Sequence, residues 1–375
     1  MFIFLTLFLT LYGGMQWYWY RKAVSVVPRT VAAKLILTIF LLLMLFAPVV
    51  IRLLEQRGHE ATARWTAFIG YSWMGFLFLS CSCFLLLDLG RLLVRYTGYG
   101  GDLGGYLPGA GTSFIGVTLL VVVITIYGWY KATLIRTEIV DIESTKIPKA
   151  AGTVTIAQIS DVHLGIMVGE RRLKTILSAV RATQPDILVA TGDIVDGQMD
   201  GHDRLAGLMG EIKPRLGKFA VIGNHELYVG IRQSLSFLRD AGFTVLRGES
   251  AEIAGVMTIA GIDDPVFGGK IEAADQERRV IEQVTPGRFL LLLKHRPVVA
   301  TESRGRFDLQ LSGHVHQGQI FPFVFLTRIA FPLPTGLSRI REGGAVYVSR
   351  GVGTWGPPIR FLAPPEVTLF RLRHP

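Results

Sequence analysis

Long apolar stretches dominate the first third of this chain. They cover residues 2–18, 35–50, 67–87 and 114–129, and each approaches the roughly 20 residues that a helix needs to cross a bilayer core of about 30 Å. Aromatic side chains such as Trp17, Trp19 and Trp129 lie at their ends, where amphipathic rings favour the headgroup layer. Buried helices of a soluble protein are the alternative, but the first 130 residues hold only 9 basic and 4 acidic side chains. The pattern predicts about four transmembrane helices over residues 1–130.

The hydrophobic pattern changes after residue 131 to short strand-like runs that alternate with amphipathic helices. Predicted strands cover 154–159, 187–191, 219–222, 256–262, 289–293, 309–311 and 345–348, and predicted helices cover 170–183, 232–241 and 271–283. Such alternation indicates an α/β or α+β domain built on a sheet. We therefore predict a linker over 131–151, with a first strand at 133–142 as one option, and a sheet domain over 152–375.

Polar residues follow many of the predicted strands directly. Asp161, Asp193, Asn224, His295 and His314 each come just after an apolar run. Open sheets bind ligands outside the carboxyl ends of their strands, so these side chains should converge at one edge of the sheet. Five of the eight histidines lie at or within two residues of these positions, namely His163, His225, His295, His314 and His316. A mixture of carboxylate, amide and imidazole ligands suits a pair of divalent cations.

The polar pieces also match a family pattern when they are taken in order. They are Asp161-Val-His163, Gly192-Asp193, Gly223-Asn-His-Glu226, His295 and Gly313-His-Val-His316. Over residues 153–372 they resemble the calcineurin-like metallophosphoesterase family, and the segments 349–360 and 363–366 resemble its membrane-associated branch. Together with the four apolar stretches, the resemblance implies an N-terminal four-helix transmembrane region followed by an α/β (α+β) metallophosphoesterase sandwich domain.

The resemblance also implies a role for each motif residue. Asp193 would bridge two divalent metal ions, which we expect to be Mn, Fe or Zn. Asp161, His163 and His316 would complete one metal site. Asn224, His295 and His314 would complete the other. A water shared by two such cations loses a proton near neutral pH and attacks phosphorus in line, which predicts a phosphoric ester hydrolase.

Several polar residues near the motifs each allow two interpretations. His225 either donates a proton to the leaving oxygen, as a catalytic residue beside Asp193, or supports the site structurally. Asp196 and Glu226 either orient the ligand imidazoles or are solvated loop charges. Arg350 either contacts phosphate oxygens or forms a structural salt bridge, and the salt bridge is favoured.

Charge and composition restrict the partners. The net charge is +10, and residues 131–375 contribute +5 of it from 30 basic and 25 acidic side chains. A basic domain suits membrane lipids or an anionic substrate, and no nucleic-acid partner is expected because no basic run is interleaved with aromatics. Cys81 and Cys83 are interpreted as packing residues. The Gly-rich connection 98–111 lacks a Gly-Lys-Ser/Thr ending and is predicted to be a loop.

The leading functional hypothesis is a membrane-anchored phosphoesterase that hydrolyses phosphomonoester, phosphodiester or pyrophosphate bonds. A lipid substrate is suggested by the apolar stretch 320–334, which either dips into the bilayer or packs as a buried connection on the sheet. One alternative is an enzyme similar to UDP-2,3-diacylglucosamine pyrophosphatase, acting on a nucleotide-linked lipid. Another is a membrane receptor or transporter whose phosphoesterase domain is regulatory and non-catalytic.

The orientation in the cell membrane follows from the flanking charges. An even number of spans places both chain ends on one side. The first apolar stretch has no Lys or Arg before it and is followed by Arg21, Lys22, Arg29 and Lys34. Basic residues after the first helix favour an outside N-terminus. We therefore expect an integral membrane protein with an extracytoplasmic catalytic domain, whereas the nucleotide-linked alternative requires a cytosolic one.

Overall fold

The computed structural model describes residues 2–96, 108–197, 201–253 and 255–375. Most of the Gly-rich connection predicted as a loop over 98–111 lies outside the described residues. The chain forms two compact units. Unit 1 comprises Met1–Tyr130 together with Gly356–Phe361, and unit 2 comprises Lys131–Trp355 together with Leu362–Pro375. The C-terminal part of the chain therefore contributes a short segment to the first unit.

Unit 1 is helical. Its described helices are α1 (Phe2–Ala23), α2 (Val31–Gln56), α3 (Glu60–Tyr96) and α4 (Ala110–Thr133). Among the described residues, α2, α3 and α4 are long and apolar enough to cross a membrane, by length and composition. The expected count of four spans is not confirmed, because α1 does not belong to that set. Its second half carries Gln16 and ends in Arg21 and Lys22, which lower its apolar content.

The segment Gly356–Phe361 packs inside unit 1. The backbone N–H of Arg360 donates to the carbonyl of Gly128 at 2.9 Å, and the rings of Phe361 and Tyr127 meet edge to face. A Cβ at Gly75 would lie 2.7 Å from Cδ1 of Ile359. Small residues on the helices therefore make room for this segment, and a larger side chain at position 75 would displace it.

Two six-stranded sheets form the centre of unit 2. The first contains β1 (Arg136–Glu143), β2 (Val154–Ile159), β3 (Ile187–Thr191), β4 (Lys218–Val221), β5 (Thr244–Val245) and β12 (Glu366–Arg373), in the order β1-β12-β2-β3-β4-β5. The second contains β6 (Glu249–Ile253), β7 (Met257–Ile262), β8 (Phe289–Lys294), β9 (Leu309–Ser312), β10 (Gly336–Arg339) and β11 (Ala345–Val348), in the order β10-β11-β9-β8-β7-β6. Strands β2 to β5 are parallel, as are β7, β8, β9 and β11.

Apolar side chains fill the space between the sheets and cover their outer faces. Ile156 and Val189 of the first sheet share one cluster with Leu291 and Leu309 of the second. The outer face of the first sheet packs against α5 (Glu170–Ala182), α6 (His202–Gly210) and α8 (Ile231–Asp240). The outer face of the second sheet packs against α9 (Gly269–Glu282). Because the central parallel strands are covered on both faces, strands such as β3 and β8 carry apolar residues at successive positions, not at alternate ones.

Part of the predicted linker belongs to the first sheet. The segment 131–151 carries β1, whose Arg136 lies opposite Glu366 in a parallel pairing with β12. Strand β12 in turn pairs antiparallel with β2, with Phe370 opposite Ile156. The mixed α/β domain is thereby closed at one edge by strands from both ends of unit 2.

Candidate metal centre

Loops at the carboxyl ends of parallel strands in both sheets carry the motif residues. Asp161 and His163 follow β2, Asp193 follows β3, and Asn224 begins the short helix α7 (Asn224–Val229) after β4. His295 follows β8 directly, and the loop after β9 carries His314 and His316. Six of these seven side chains fall into groups that share His163 or Asp193, and the residue after Asn224 donates its backbone N–H to Asp193, as the strand-end argument predicts.

One ligand group consists of Asp161, His163 and His316. The Nε2 atoms of the two histidines are 3.0 Å apart, and Nε2 of His316 lies 3.3 Å from Oδ1 of Asp161. Two nitrogens that bind the same ion, each at about 2.1 Å, lie roughly 3 Å apart. The spacing of these three side chains therefore fits a shared cation.

A second group consists of Asp193, His295 and His314. Nε2 of His295 lies 3.0 Å from Oδ2 of Asp193 and 3.1 Å from Nδ1 of His314. The other ring nitrogen of His295 bonds the carbonyl of Thr191 at 2.8 Å, which fixes the ring and directs Nε2 to the cluster. Asp193 also belongs to a third group with His163 and His225. Its carboxylate thus stands between the two sets of imidazoles, where a bridging ligand would be.

The amide of Asn224 gives an independent test of the fit. Asn224 is buried, and its Oδ1 has no hydrogen-bond partner among the residues that the structure describes. A buried polar oxygen without a partner is rare, because it loses its hydrogen bonds to water without compensation. A cation ligated by that oxygen removes the cost, so the donor set fits two divalent metal ions.

The backbone at the ligands is unusual. Asp161, His163, Asp193, His314 and His316 all have positive φ, between 48° and 73°. Non-glycine residues avoid this left-handed region, at a cost of order 1–3 kcal/mol each, and such residues concentrate at functional sites. The surrounding fold must therefore hold five strained residues in place.

Glycines in the motifs are required by close packing at the same point. A Cβ at Gly192 would lie 2.6 Å from Nδ1 of His295, and one at Gly223 would lie 2.8 Å from Cδ2 of the same ring. The backbone of residues 352 and 353 supports the first motif. The N–H of Val352 donates to the carbonyl of Ser160, and the N–H of Gly353 donates to the carbonyl of Asp161, both at 2.9 Å. The sequence reasoning missed this support, although it had singled out the segment.

The cluster favours positive charge at its centre. Burial opposes ionisation of Asp193, but the charges of His295, His225 and His163 outweigh it and hold the pKa of Asp193 well below its usual range. Burial also opposes a charged His295, yet Asp193 raises the pKa of that imidazole to about 10. Burial and the neighbouring His295 lower the pKa of His314 to about 3. His314 is therefore neutral beside a protonated His295.

His225 lies beside the ligands with its ring held by a carboxylate. Its Nδ1 pairs with Oδ1 of Asp196, and its Nε2 is 4.0 Å from Oδ2 of Asp193. Burial disfavours the charged ring, but Asp196 and Asp193 outweigh burial and raise the pKa of His225 to about 9. The other oxygen of Asp196 lies 3.3 Å from Nδ1 of His163. Asp196 thus contacts two imidazoles and is not merely a solvated loop charge.

Glu226 organises the backbone under the cluster. This buried carboxylate accepts hydrogen bonds from the N–H groups of Asp193, Ile194 and Val195 at 2.7 to 3.2 Å, and from Gly223 at 2.7 Å. Burial and the charge of Asp193 raise its pKa, while the backbone N–H groups oppose that rise. Glu226 is therefore not the solvated loop charge of one interpretation, and these hydrogen bonds come from the backbone, not from the imidazoles of the other.

Arg350 lies outside the cluster. Its guanidinium pairs with the carboxylates of Glu138 and Glu366. Glu366 is buried and also accepts from the hydroxyl of Tyr347 at 3.0 Å. The structural salt bridge, which the sequence reasoning favoured over a phosphate contact, is the arrangement that the structure has.

Comparison with known proteins adds a family context to this geometry. The sequence profile described as calcineurin-like phosphoesterase matches residues 154–318. An "uncharacterized metallophosphoesterase" of Aquifex aeolicus is 42% identical over 259 residues, which are 68% of this chain and 98% of that protein. A "transmembrane protein with metallophosphoesterase domain" of Danio rerio is 31% identical over 276 residues, 68% of this chain and 62% of that protein. A Bos taurus protein of the same description is 29% identical over 245 residues, 61% of this chain and 55% of that protein.

Proposed function

Because this chain belongs to the calcineurin-like metallophosphoesterase family, we propose that it is a membrane-anchored phosphoesterase with two divalent metal ions. Its reaction is hydrolysis of a phosphomonoester, phosphodiester or pyrophosphate bond. The observation that carries the proposal is the meeting of two ligand groups at the carboxylate of Asp193, beside the unpartnered buried oxygen of Asn224. The three membrane-capable helices support the anchoring.

Seven side chains would hold the ions. Asp161, His163 and His316 would serve one ion, Asn224, His295 and His314 would serve the other, and Asp193 would be shared by both. Ions in such a site activate water and neutralise charge on the phosphoryl oxygens. Mn²⁺ or Fe²⁺ suits the mixture of imidazole and oxygen ligands, with Zn²⁺ as a further option. A full ligand set argues against a regulatory domain without catalysis, since such a domain needs no strained ligand backbone.

His225 would supply the proton for the leaving oxygen. Asp196 binds its Nδ1, so the opposite nitrogen faces the cluster. The same carboxylate favours the protonated ring, which is the form that a general acid needs at the start of the reaction. Burial of Asp193 and His295 excludes water from the protein side of the cluster and strengthens these interactions.

The test is metal dependence in the full-length chain, purified in detergent and assayed on soluble chromogenic phosphate mono- and diesters. Chelation should remove turnover, and Mn²⁺ should restore it with two ions bound per chain. His295→Ala should lose both metal and turnover. His202→Ala is the matched control, because His202 pairs with Asp240 on the surface. Full turnover after complete metal removal would refute the proposal.

The extracytoplasmic orientation is a further part of the proposal. It is supported by the basic residues that follow the first apolar stretch. Separate reporter fusions at the N-terminus and at Pro375 test it, because three spans place the two ends on opposite sides and four place them together. A Pro375 fusion that is active only in the cytosol would contradict it and favour the nucleotide-linked lipid substrate.

A further inference from the structure

An exposed apolar surface follows the last candidate ligand directly. The helix α10 (Val324–Ala330) and the residues before it present Phe321, Phe323, Phe325, Leu326 and Ile329 to solvent. Ile329 is 80% exposed, and Phe325 and Leu326 are each 56% exposed. No residue of α10, all of which the structure describes, is buried. The helix is therefore not part of a buried connection, although Ile320 before it is buried and Phe331 and Leu333 after it pack against the core of the second sheet. We call these five exposed side chains the apolar surface.

The apolar surface is tied to the candidate metal centre at both ends. At one end it follows the tight turn His316–Gly318, where a Cβ on Gly318 would collide with the backbone of Val324. At the other end, the ring of Phe331 meets the ring of His314 edge to face, with centroids 4.9 Å apart. A molecule that covers the apolar surface therefore lies beside the candidate metal ligands His314 and His316.

The sequence that carries the apolar surface is basic. Residues 320–341 contain Arg328, Arg339 and Arg341 and no Asp or Glu. All three arginines are exposed, and none forms an ion pair with the part of the chain that the structure describes. Exposed aromatic and aliphatic side chains bordered by arginine are typical of segments that lie in the interface of an anionic membrane.

The covalent chain favours a bilayer over a soluble partner as the occupant. Only two residues separate the membrane-capable helix α4, which ends at Thr133, from β1, which begins at Arg136. Two residues span less than about 10 Å even when extended. The sheet domain is therefore always tethered close to whichever membrane α4 crosses, so lipid is present near it at high local concentration.

We propose that residues 320–341 form an interfacial contact with an anionic lipid leaflet, and that this contact delivers a lipid-borne phosphoester to the metal centre. The apolar surface enters the acyl boundary, while the three arginines remain at the level of the headgroups. The second half of the proposal rests on the phosphoesterase function proposed above, whereas the membrane contact itself does not.

The membrane contact is tested by a spin label on the full chain, in nanodiscs that hold one chain each and contain phosphatidylglycerol. In a Cys81→Ser, Cys83→Ser background, Ile329→Cys carries the nitroxide, and Ile271→Cys is the matched control. Ile271 is an 83% exposed isoleucine on α9 of the same unit. The label at 329 should show high collision with oxygen and low collision with a water-soluble nickel complex, and the label at 271 should show the reverse.

Equal water accessibility at 329 and 271 would overturn the membrane contact. Protection at 329 that appears only when a disc holds two chains would also overturn it, because the occupant would then be a second copy. Protection that persists in discs of neutral phosphatidylcholine alone would remove the role of the arginines and of the anionic leaflet.

Delivery of the substrate is tested with Ile329→Asp against Ile271→Asp. On vesicles that contain phosphatidic acid or phosphatidylglycerol, Ile329→Asp should lower kcat/KM for lipid hydrolysis roughly tenfold or more, because a charge replaces an inserted apolar group. Turnover of a soluble chromogenic ester should be unchanged in both variants. Equal loss on both substrates, or no lipid hydrolysis by the wild type, would refute delivery. Failure of the wild type on every soluble ester would instead refute the phosphoesterase function and leave the spin-label result standing.

Discussion

Two buried charged clusters in the sheet domain differ in how their carboxylates are balanced. At the edge formed by β1 and β12, Glu366 faces the guanidinium of Arg350, whose charge does not depend on pH. At the candidate metal centre, Asp193 and Asp161 face imidazoles, whose charge depends on a bound proton. The chain itself supplies the permanent cation of the first cluster. The second cluster attracts a positive charge that the chain does not permanently supply.

The two clusters also differ in backbone conformation, which is regular at the first and strained at the second. Glu366 begins a regular strand, and one of its carboxylate oxygens accepts hydrogen bonds from Tyr347 and from the backbone of Arg350. Asp161 and Asp193 are in left-handed conformations after their strands. Buried acids therefore indicate a functional site when their partners titrate and their backbone is strained, whereas a buried acid with an arginine partner indicates a structural bridge.

The largest expected effect comes from Asp193→Asn. The amide has the same shape but loses the charge that would bridge two cations, so turnover should fall by more than the 10- to 100-fold typical of groups behind a metal ligand. The measurement is kcat on a chromogenic phosphodiester at saturating Mn²⁺, together with metal content. Asp240→Asn, at an exposed aspartate paired with His202, is the control. Wild-type turnover with full metal content in Asp193→Asn would remove the bridging assignment.

A smaller effect is expected from His225→Ala. Both metal ions should stay bound, while turnover of an ester with a poor leaving group falls about 10²-fold, as for loss of a general acid. Esters of p-nitrophenol should be affected less, since that leaving group needs little protonation. The measurement is kcat across a series of leaving groups. Loss of metal in this variant would instead make His225 a ligand, which the group of His163, Asp193 and His225 also allows.

Glu226→Gln should weaken the site without touching a ligand. Glu226 receives four backbone N–H groups, two on each oxygen, and its neutral replacement turns one acceptor into a donor that faces two of them. We expect roughly tenfold weaker Mn²⁺ binding, since supporting residues typically change affinity by 10- to 100-fold. Metal titration by turnover measures this effect, with the exposed Glu211→Gln as the control. Unchanged affinity would show that the carboxylate charge is not what holds this loop.

Arg350→Met should have the smallest effect on turnover. It leaves Glu366 buried without its cation, which lowers the free energy of unfolding by about 3 kcal/mol. Turnover per folded molecule should stay within about twofold, because only a contact to the reacting groups would change it further. Thermal unfolding and kcat measure the two quantities, and the pair Arg350→Met with Glu366→Gln should recover part of the stability. A large loss of kcat with unchanged stability would restore the phosphate-contact interpretation.

The sequence determined the features that depend on a few neighbouring residues. Apolar runs of five or six residues predicted β2 and β3 with their observed bounds. The polar residues in and after these runs include six side chains that the structure brings together, whereas the assignment of Asn224 and of all seven as metal ligands stays a prediction. Long apolar runs predicted α2, α3 and α4 as membrane-capable helices, but the same reasoning counted the first stretch as a fourth. These signals are local because hydrophobic periodicity and turn residues act over a few positions.

Only the tertiary structure decided the interactions between distant residues. The role of Glu226 depends on a loop more than 30 positions earlier in the chain. The pairing of β1 with β12 depends on register between Arg136 and Glu366, and the partner of Arg350 depends on that same pairing. The sequence also did not determine whether α10 is exposed, because an apolar stretch has the same composition whether a sheet covers it or not. Such contacts form between segments whose separation is set by how the whole chain packs, and no local pattern encodes that packing.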